Sequence, residues 1–208
     1  MRTHFLRIAT LVSLLSLASC CPMLSVNPIS EPSTVETRLE GVWKLHSKDN
    51  EKVFLHIAPV SEKRMTVLMV EHKAGKELDI QQVPFHLSKL KSGLYINIDA
   101  AELPADEFKN KTGYIFFRID WKAPNMLGTA MLDEEPIIDA IKGGELKGEL
   151  QYKKRGAASE QPKASQPAGR KIVECVTITD SPGNIRKFLE THDNETLFTD
   201  HLNWNRID

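Results

Sequence analysis

The stretch GLYINIDA, residues 93–100, points to the fold because its apolar side chains fall on every second position. The alternating residues are Leu94, Ile96 and Ile98 on one face and Tyr95, Asn97 and Asp99 on the other. This period of two predicts a β-strand that buries one face in a core and leaves the other face wet.

Short stretches of the same character continue in both directions along the chain. They are GVWKLHS, KVFLHIAPV, RMTVLMVEH, IQQVPFHLSKL, GYIFFRIDW, NMLGTAML, GELKGELQY and KIVECVTIT. Turn-forming clusters such as Lys91-Ser92-Gly93 separate several of them, which favours short connections and antiparallel pairing. A long antiparallel meander must protect its edges, and closure into a β-barrel achieves this. The sequence therefore predicts a mainly β protein with an antiparallel meander closed into a barrel.

Two stretches have helical spacing instead. In DEEPIIDAIKGG, residues 133–144, Asp133 is a cap, Pro136 falls in the first turn and Gly143 is the predicted stop. In TDSPGNIRKFLETHDN, residues 179–194, either Asp180 or Ser181 caps a helix that begins at Pro182. We expect two short amphipathic helices, each with one buried face.

The N-terminus has the layout of a secretory signal. Arg2 and Arg7 precede an apolar run of about ten residues, roughly half the length that a spanning helix needs. The residues before Cys20 resemble the bacterial lipobox, so residues 1–19 are predicted to be a lipoprotein signal peptide and Cys20 to be the lipidated first residue. The alternative is a plain signal peptide with an incidental cysteine. In enteric lipoproteins an aspartate after the lipidated cysteine keeps the protein in the inner membrane. Cys21 at this position favours the outer membrane over the inner membrane, with the domain facing the periplasm.

The mature chain is predicted to have two parts. Residues 20–38 contain several Pro, Ser and Thr residues and suit a flexible tether, so we expect one domain over residues 39–208. Residues 153–171 form a low-complexity basic segment inside this domain, interpreted as a solvated loop. The alternative is a basic arm that contacts lipid headgroups or another anionic envelope component. Nucleic acid is not an expected partner, because the protein is exported and its formal net charge is only −1.

Cys21 and Cys175 are the remaining cysteines. We interpret Cys175 as a small apolar residue of a strand. A disulfide with Cys21 is the alternative that an exported compartment permits.

Gly41, Trp43 and Arg206 carry a resemblance to the calycin and lipocalin pattern. There, a Gly-x-Trp on the first strand is covered by an arginine from the end of the chain, which implies that these three residues close one end of the barrel. The run from Asn125 to Leu150 and the Thr-Asp-Ser-Pro cap also resemble a set of uncharacterised small bacterial lipoproteins, a likeness that brings no known activity.

The sequence carries no phosphate-binding glycine loop, metal-binding cysteine pairs or nucleophile elbow. His46, His56, His72 and His86 fall on successive predicted strands and are interpreted as scattered surface residues; the alternative is that two of them converge in the barrel mouth. We predict no catalytic residues, no metal and no cofactor, and therefore no enzyme.

Phe116 and Phe117 point to opposite faces of one predicted strand, so both faces are expected to be covered. A helix packed outside the barrel explains one face, and a filled interior or an apolar cavity explains the other. Two functions follow for a lipid-anchored envelope protein. One is the binding of a small hydrophobic molecule or lipid in the barrel; the other is a structural or interaction module that contacts envelope proteins or glycans and has no ligand cavity.

Overall fold

The computed structural model of the protein describes residues 22–46, 52–72, 77–105, 108–152 and 172–208. The strands are β1 (Leu24–Ser25), β2 (Gly41–Leu45), β3 (Lys52–Ser61), β4 (Arg64–His72), β5 (Asp79–Leu90), β6 (Gly93–Asp99), β7 (Tyr114–Ala123), β8 (Met126–Leu132), β9 (Gly148–Tyr152), β10 (Val173–Ile178) and β11 (Phe198–Arg206). The α-helices are α1 (Glu134–Gly143), α2 (Pro182–Thr191) and α3 (Asn194–Leu197). Single 3-10 turns cover Thr37–Leu39 and Ala100–Glu102.

Eight of the described strands form a closed antiparallel barrel. From β2 to β7 each strand pairs with the next one along the chain, which ends the run at β8, and β11 closes the ring by pairing with both β8 and β2. The predicted fold class, a mainly β protein with a meander closed into a barrel, is confirmed. Closure removes the two sheet edges that a meander of this length would expose.

The chain between β8 and β11 leaves the barrel and packs on its outside. It forms α1, the β9–β10 hairpin, α2 and α3. Strand β10 pairs on its second side with β1, in parallel, with Leu24 opposite Thr177. Strand β1 in turn pairs with the first residue of β7, where Ser25 lies opposite Tyr114.

Both predicted helices are present, and their ends follow the predicted chemistry. Asp133 caps α1 by accepting from the N–H of Glu135, and Ser181 caps α2 by accepting from the N–H of Asn184. One detail is wrong: α1 runs through Gly143, and Gly144 ends it, with a left-handed φ of 77° that glycine adopts readily. The four-residue helix α3 was not predicted.

Two apolar clusters stabilise the described structure, one inside the barrel and one outside it. Phe117 belongs to the inner cluster and Phe116 to the outer one, so β7 is covered on both faces as predicted. The outer cluster joins the barrel wall to α1, α2, α3 and β10.

Strand β6 corrects the expectation of one wet face. Tyr95 and Asn97, predicted to face solvent, have no exposed surface. The ring of Tyr95 lies 5.6 Å from that of Phe198, and its hydroxyl donates to Asn194 at 3.1 Å. The period-two pattern is correct, but the outward face of β6 is covered by segments distant in sequence.

The expected tether over residues 20–38 is wrong for its described part, residues 22–38. Leu24 pairs with β10, and Ile29 is fully buried in the outer cluster. The backbone N–H of Val26 donates to the carbonyl of Ile178, and that of Ser33 donates to Leu87, both at 2.8 Å. The domain therefore begins at least as early as residue 22, because this segment meets its backbone hydrogen-bonding needs through the barrel.

Cys175 is disulfide-bonded, so its interpretation as a small apolar residue is wrong. The only other cysteines in the sequence are Cys20 and Cys21. Both lie outside the described residues, as do the predicted signal peptide, residues 1–19, and the basic segment, residues 153–171. In the described part of the chain, no helix is long and apolar enough to cross a membrane.

Candidate functional site

A cavity of about 60 Å³ lies inside the barrel. Its walls come from the inward faces of seven barrel strands and from two residues beside the 3-10 turns. The lining residues are Leu39, Leu55, Ile57, Val67, Met69, Val83, Phe85, Ile96, Ile98, Leu103, Ile115, Phe117, Ile119, Leu127, Thr129 and Trp204.

The cavity wall is almost entirely apolar. Thr129 is the only lining residue with a side-chain hydroxyl, and this hydroxyl already accepts a 3.0 Å hydrogen bond from the indole N–H of Trp204. No lining residue is titratable. Such a wall excludes water, because a water molecule needs two to four polar partners, and it attracts apolar molecules.

The volume restricts what the cavity accepts. Apolar cavities of about 150 Å³ stay dry and bind benzene. A space of about 60 Å³ is too small for such a ring without movement of the walls. An unbranched alkyl chain is narrower, and the flexible thioether of Met69 in the wall can adapt to it.

Gln81 is a polar residue on the inward face of β5. It lies two residues before Val83, which lines the cavity, and strand alternation places both side chains on the same face. The Oε1 atom of Gln81 is buried and accepts no hydrogen bond from the described residues. A buried acceptor without a donor costs roughly 1–3 kcal/mol, so a ligand hydroxyl here would be stabilising.

Gly41, Trp43 and Arg206 lie together where β2 meets β11. The guanidinium carbon of Arg206 is 5.5 Å from the centroid of the fully buried Trp43 ring, and its Nη2 donates to the Glu40 carbonyl at 2.7 Å. Gly41 has a φ of 125°, and a Cβ atom there would stand 2.8 Å from Arg206 Nη2. A larger residue at position 41 would therefore be strained and would displace the arginine.

Trp43 connects this group to the cavity. Its indole N–H donates to the carbonyl of Leu39 at 2.9 Å, and the Leu39 side chain lines the cavity. The ring of Trp43 also lies beside a second cation–π pair. The guanidinium carbon of Arg38 is 4.0 Å from the centroid of the Trp121 ring, and the rings of Trp43 and Trp121 are 6.0 Å apart. Trp43 and Arg206 thus join β2 to β11 and also position one wall of the cavity.

The four histidines do not converge. His46, His56 and His72 are exposed. His86 is half-buried on the outward face of β5, where its ring meets that of Tyr114 edge-on, and burial followed by the nearby Arg64 charge lowers its pKa. Across the described residues, no group of His, Cys, Asp and Glu side chains is arranged to hold a metal ion.

Asp180 and Ser181 have capping roles. Ser181 caps α2, whereas the Asp180 carboxylate accepts from the backbone N–H groups of Lys147 and Ser181 and from the side chain of Asn184. Burial acts to raise the pKa of Asp180, but these three hydrogen bonds outweigh it and lower the pKa. Both residues belong to the packing of α2 on the hairpin.

Sequence reasoning did not identify Leu39 and Leu103 as cavity residues. Both lie at the end of a short 3-10 turn, outside the alternating stretches, and Leu103 follows a strand whose inward positions were clear. The only available signal was an isolated leucine just before or after a predicted strand, which is too common to identify a site.

Comparison with protein-family models, with curated proteins and with solved structures found no match for this chain.

Proposed function

We propose that this protein is a lipid-anchored protein of the bacterial cell envelope that binds a narrow apolar molecule inside its barrel. The observation that carries the proposal is the apolar cavity, whose one side-chain hydroxyl is already hydrogen-bonded within the wall. Apolar pockets that contain few polar groups are typical of sites for hydrophobic small molecules.

The chemistry of the cavity supports binding and not catalysis. General acid–base or nucleophilic catalysis needs a titratable or nucleophilic side chain within reach of the substrate. The lining residues contain no titratable group, and the Thr129 hydroxyl is occupied by Trp204. A bound molecule would therefore be held and released unchanged.

The best-fitting ligand is an alkyl chain with a small hydroxyl-bearing end. The chain would occupy the cavity, whose volume of about 60 Å³ favours an unbranched segment over a ring. The hydroxyl would donate to the buried Oε1 of Gln81. Lipids and their breakdown products have this chemistry and are abundant beside a membrane.

The anchor is supported by the sequence. Cys20 follows a short apolar run and small residues, as in lipidated proteins, and two or more acyl chains make such anchoring durable. Cys21 at the following position favours the outer membrane, with the domain facing the periplasm. A barrel held at this surface would meet apolar molecules as they enter or leave the bilayer.

A substitution that fills the cavity tests the proposal. The mature protein is titrated with a fluorescent straight-chain fatty alcohol, and Val67→Phe is compared with Val70→Phe. Val67 lines the cavity, whereas Val70 is on the opposite face of the same strand. We expect saturable binding by the unsubstituted protein and by V70F, and loss of binding by V67F.

The outcome separates the barrel site from adsorption to the surface. Equal binding by V67F and V70F, with both proteins folded by circular dichroism, would place the probe elsewhere and contradict the proposal. Absence of saturable binding by the unsubstituted protein would contradict it directly. Gln81→Leu is expected to weaken binding of the alcohol more than binding of the matching alkane.

A second function, an interaction module of the envelope, is favoured by Leu78, which directly precedes β5, and Ile80, the second residue of that strand. Their side chains are 57% and 56% exposed, and neighbouring exposed apolar residues often mark protein contacts. Cross-linking of the full lipoprotein in its envelope, compared with a Leu78→Ser/Ile80→Ser variant, tests this alternative. A specific cross-linked partner that the variant loses, together with no ligand in the barrel, would favour it.

A further inference from the structure

The open end of the β9–β10 hairpin exposes two large side chains. Tyr152 is the last residue of β9 and is 39% exposed; Ile172 immediately precedes β10 and is 55% exposed. Tyr152 pairs with Val173, so the two exposed side chains belong to the same end of the hairpin. Tyrosine is enriched where proteins meet the membrane–water interface, so an exposed tyrosine at this end suits a position at a membrane surface.

The same end of the hairpin carries a cysteine that is disulfide-bonded. Cys175 lies in β10 and is disulfide-bonded, and Cys20 and Cys21 are the only cysteines available as its partner. Because Leu24 lies opposite Thr177 in the parallel pair, extending the register by two residues brings Pro22 opposite Cys175. Cys21 is the next residue along the chain, so the register favours Cys21 over Cys20.

Lipidation favours the same choice. The diacylglyceryl group is attached through the thiol of Cys20, and a thioether sulfur cannot enter a disulfide. Oxidation of Cys21 and Cys175 removes two electrons and two protons, which pass to a thiol oxidant of the exported compartment. The bond then lies one residue from the lipid.

We propose that the end of the β9–β10 hairpin packs against the membrane surface, held there by a Cys21–Cys175 disulfide next to the lipidated Cys20. This inference rests on the lipid anchor of the proposed function and adds an orientation to it. The barrel is fixed to the bilayer through β10 and β1 and does not swing on a flexible tether. Tyr152 and Ile172 contact the headgroup region.

Depth-dependent fluorescence quenching tests this orientation. The mature lipoprotein is reconstituted in vesicles of phosphatidylcholine and phosphatidylglycerol that contain brominated lipid. Ile172→Trp is compared with Val60→Trp, which replaces a residue of similar exposure, 60%, beside the β3–β4 turn. We expect brominated lipid to quench the added emission of I172W at least about twofold more than that of V60W. Equal or stronger quenching of V60W would overturn the proposal.

The disulfide is tested in the same system. Adding Cys175→Ser to I172W is expected to abolish the excess quenching; retention of the excess would show that the bond does not hold the hairpin at the bilayer. Peptide mapping without reduction is expected to find Cys21 linked to Cys175 on a fragment that also carries acylated Cys20.

Two other mapping results overturn the inference in distinguishable ways. An acylated Cys20 with no link between Cys21 and Cys175 would contradict this inference alone. A Cys20–Cys175 link without acylation would also contradict the lipid anchor of the proposed function.

Discussion

The backbone N–H of Ile29 donates a 2.9 Å hydrogen bond to Oδ1 of Asn97, and both residues are fully buried. The amide of Asn97 in turn donates to the Ser88 hydroxyl at 3.0 Å, and Ser30 donates to the same hydroxyl at 2.8 Å. This network joins the N-terminal segment to β5 and β6. It explains why a stretch rich in proline and serine is part of the folded domain.

Replacing Asn97 with alanine is expected to release this segment. The Ile29 N–H and the Ser88 hydroxyl would each lose a buried partner, at a cost of roughly 1–3 kcal/mol in the free energy of unfolding. Hydrogen exchange should accelerate most at residues 26–33, and urea unfolding gives the energy. Asn125→Ala, in an exposed turn, is the control and should leave both unchanged. Unaltered protection of residues 26–33 in N97A would contradict the role given to the network.

Arg206 is expected to stabilise both the barrel closure and the cavity. Arg206→Ala removes the cation over Trp43 and the hydrogen bond to the Glu40 carbonyl, so we expect a loss of about 1–2 kcal/mol in unfolding free energy. Because Trp43 also holds Leu39, the affinity for the fluorescent alcohol should fall as well. Arg206→Lys keeps the positive charge but loses the planar guanidinium group. Its unfolding free energy and its affinity for the alcohol should therefore lie between those of R206A and the unsubstituted protein.

The matched control is Arg64→Ala. Arg64 forms a 2.7 Å ion pair with Glu102, but the two side chains are 50% and 44% exposed. Exposed pairs contribute about 0–1 kcal/mol, and neither residue of this pair lines the cavity. If R206A and R64A were equally stable and bound the probe equally well, the closure by Arg206 would have no energetic importance.

Local patterns explain why the barrel could be predicted. Alternation in residues 94–98 and the capping residues Asp133 and Ser181 act through neighbours in the chain, so their consequences are readable from the sequence. Gly41, Trp43 and Arg206 were identified through a resemblance, because 163 residues separate Trp43 from Arg206 and no local pattern joins them.

The larger failures of prediction involve contacts between distant segments, whereas the end of α1 was misplaced by only one residue. Asn97 appeared to be solvent-facing because its partner Ile29 lies 68 residues away, in a stretch whose composition suggested a tether. Cys175 was interpreted as a small strand residue because nothing in the sequence around it indicates its disulfide, and hairpin signals do not reveal the parallel pairing of β1 with β10. The cavity exists because the inward side chains do not fill the interior of the barrel. The alternation of apolar residues shows which side chains point inward but not whether their volumes fill the space.

The carboxylate of Asp180 predicts a pH-dependent loss of stability in acid. Its pKa is lower in the folded protein than the ordinary value of 3.8, because the hydrogen bonds from Lys147, Asn184 and Ser181 outweigh the opposing effect of burial. The stabilisation is therefore fully present above about pH 5 and is lost as the pH falls below 3.8 through the folded pKa.

Asp180→Asn tests this prediction. At pH 7 we expect the free energy of unfolding of the variant to be lower than that of the unsubstituted protein by roughly 1–3 kcal/mol. This difference should shrink as the pH falls below the ordinary carboxyl pKa. Urea unfolding at several pH values measures it. The control Asp139→Asn removes a charge whose side chain is 76% exposed and should show no such trend. A difference between D180N and the unsubstituted protein that is constant with pH would contradict the assignment.

Gly148 and Gly143 give opposite predictions for the same substitution. A Cβ atom on Gly148 would overlap the side chain of Ile141 and stand 2.8 Å from the carbonyl oxygen of Thr177, so β9 and α1 could not keep their present contact. Gly148→Ala should therefore destabilise the protein by about 1–3 kcal/mol. Gly143 lies in the last turn of α1, and no described atom outside the nearby helix backbone comes within 4 Å of the place that a Cβ atom would take, so Gly143→Ala should stabilise by about 0.4–1 kcal/mol. Thermal unfolding of the two variants tests both predictions. If G148A were as stable as G143A, the close packing of α1 on the hairpin would not explain the glycine at position 148.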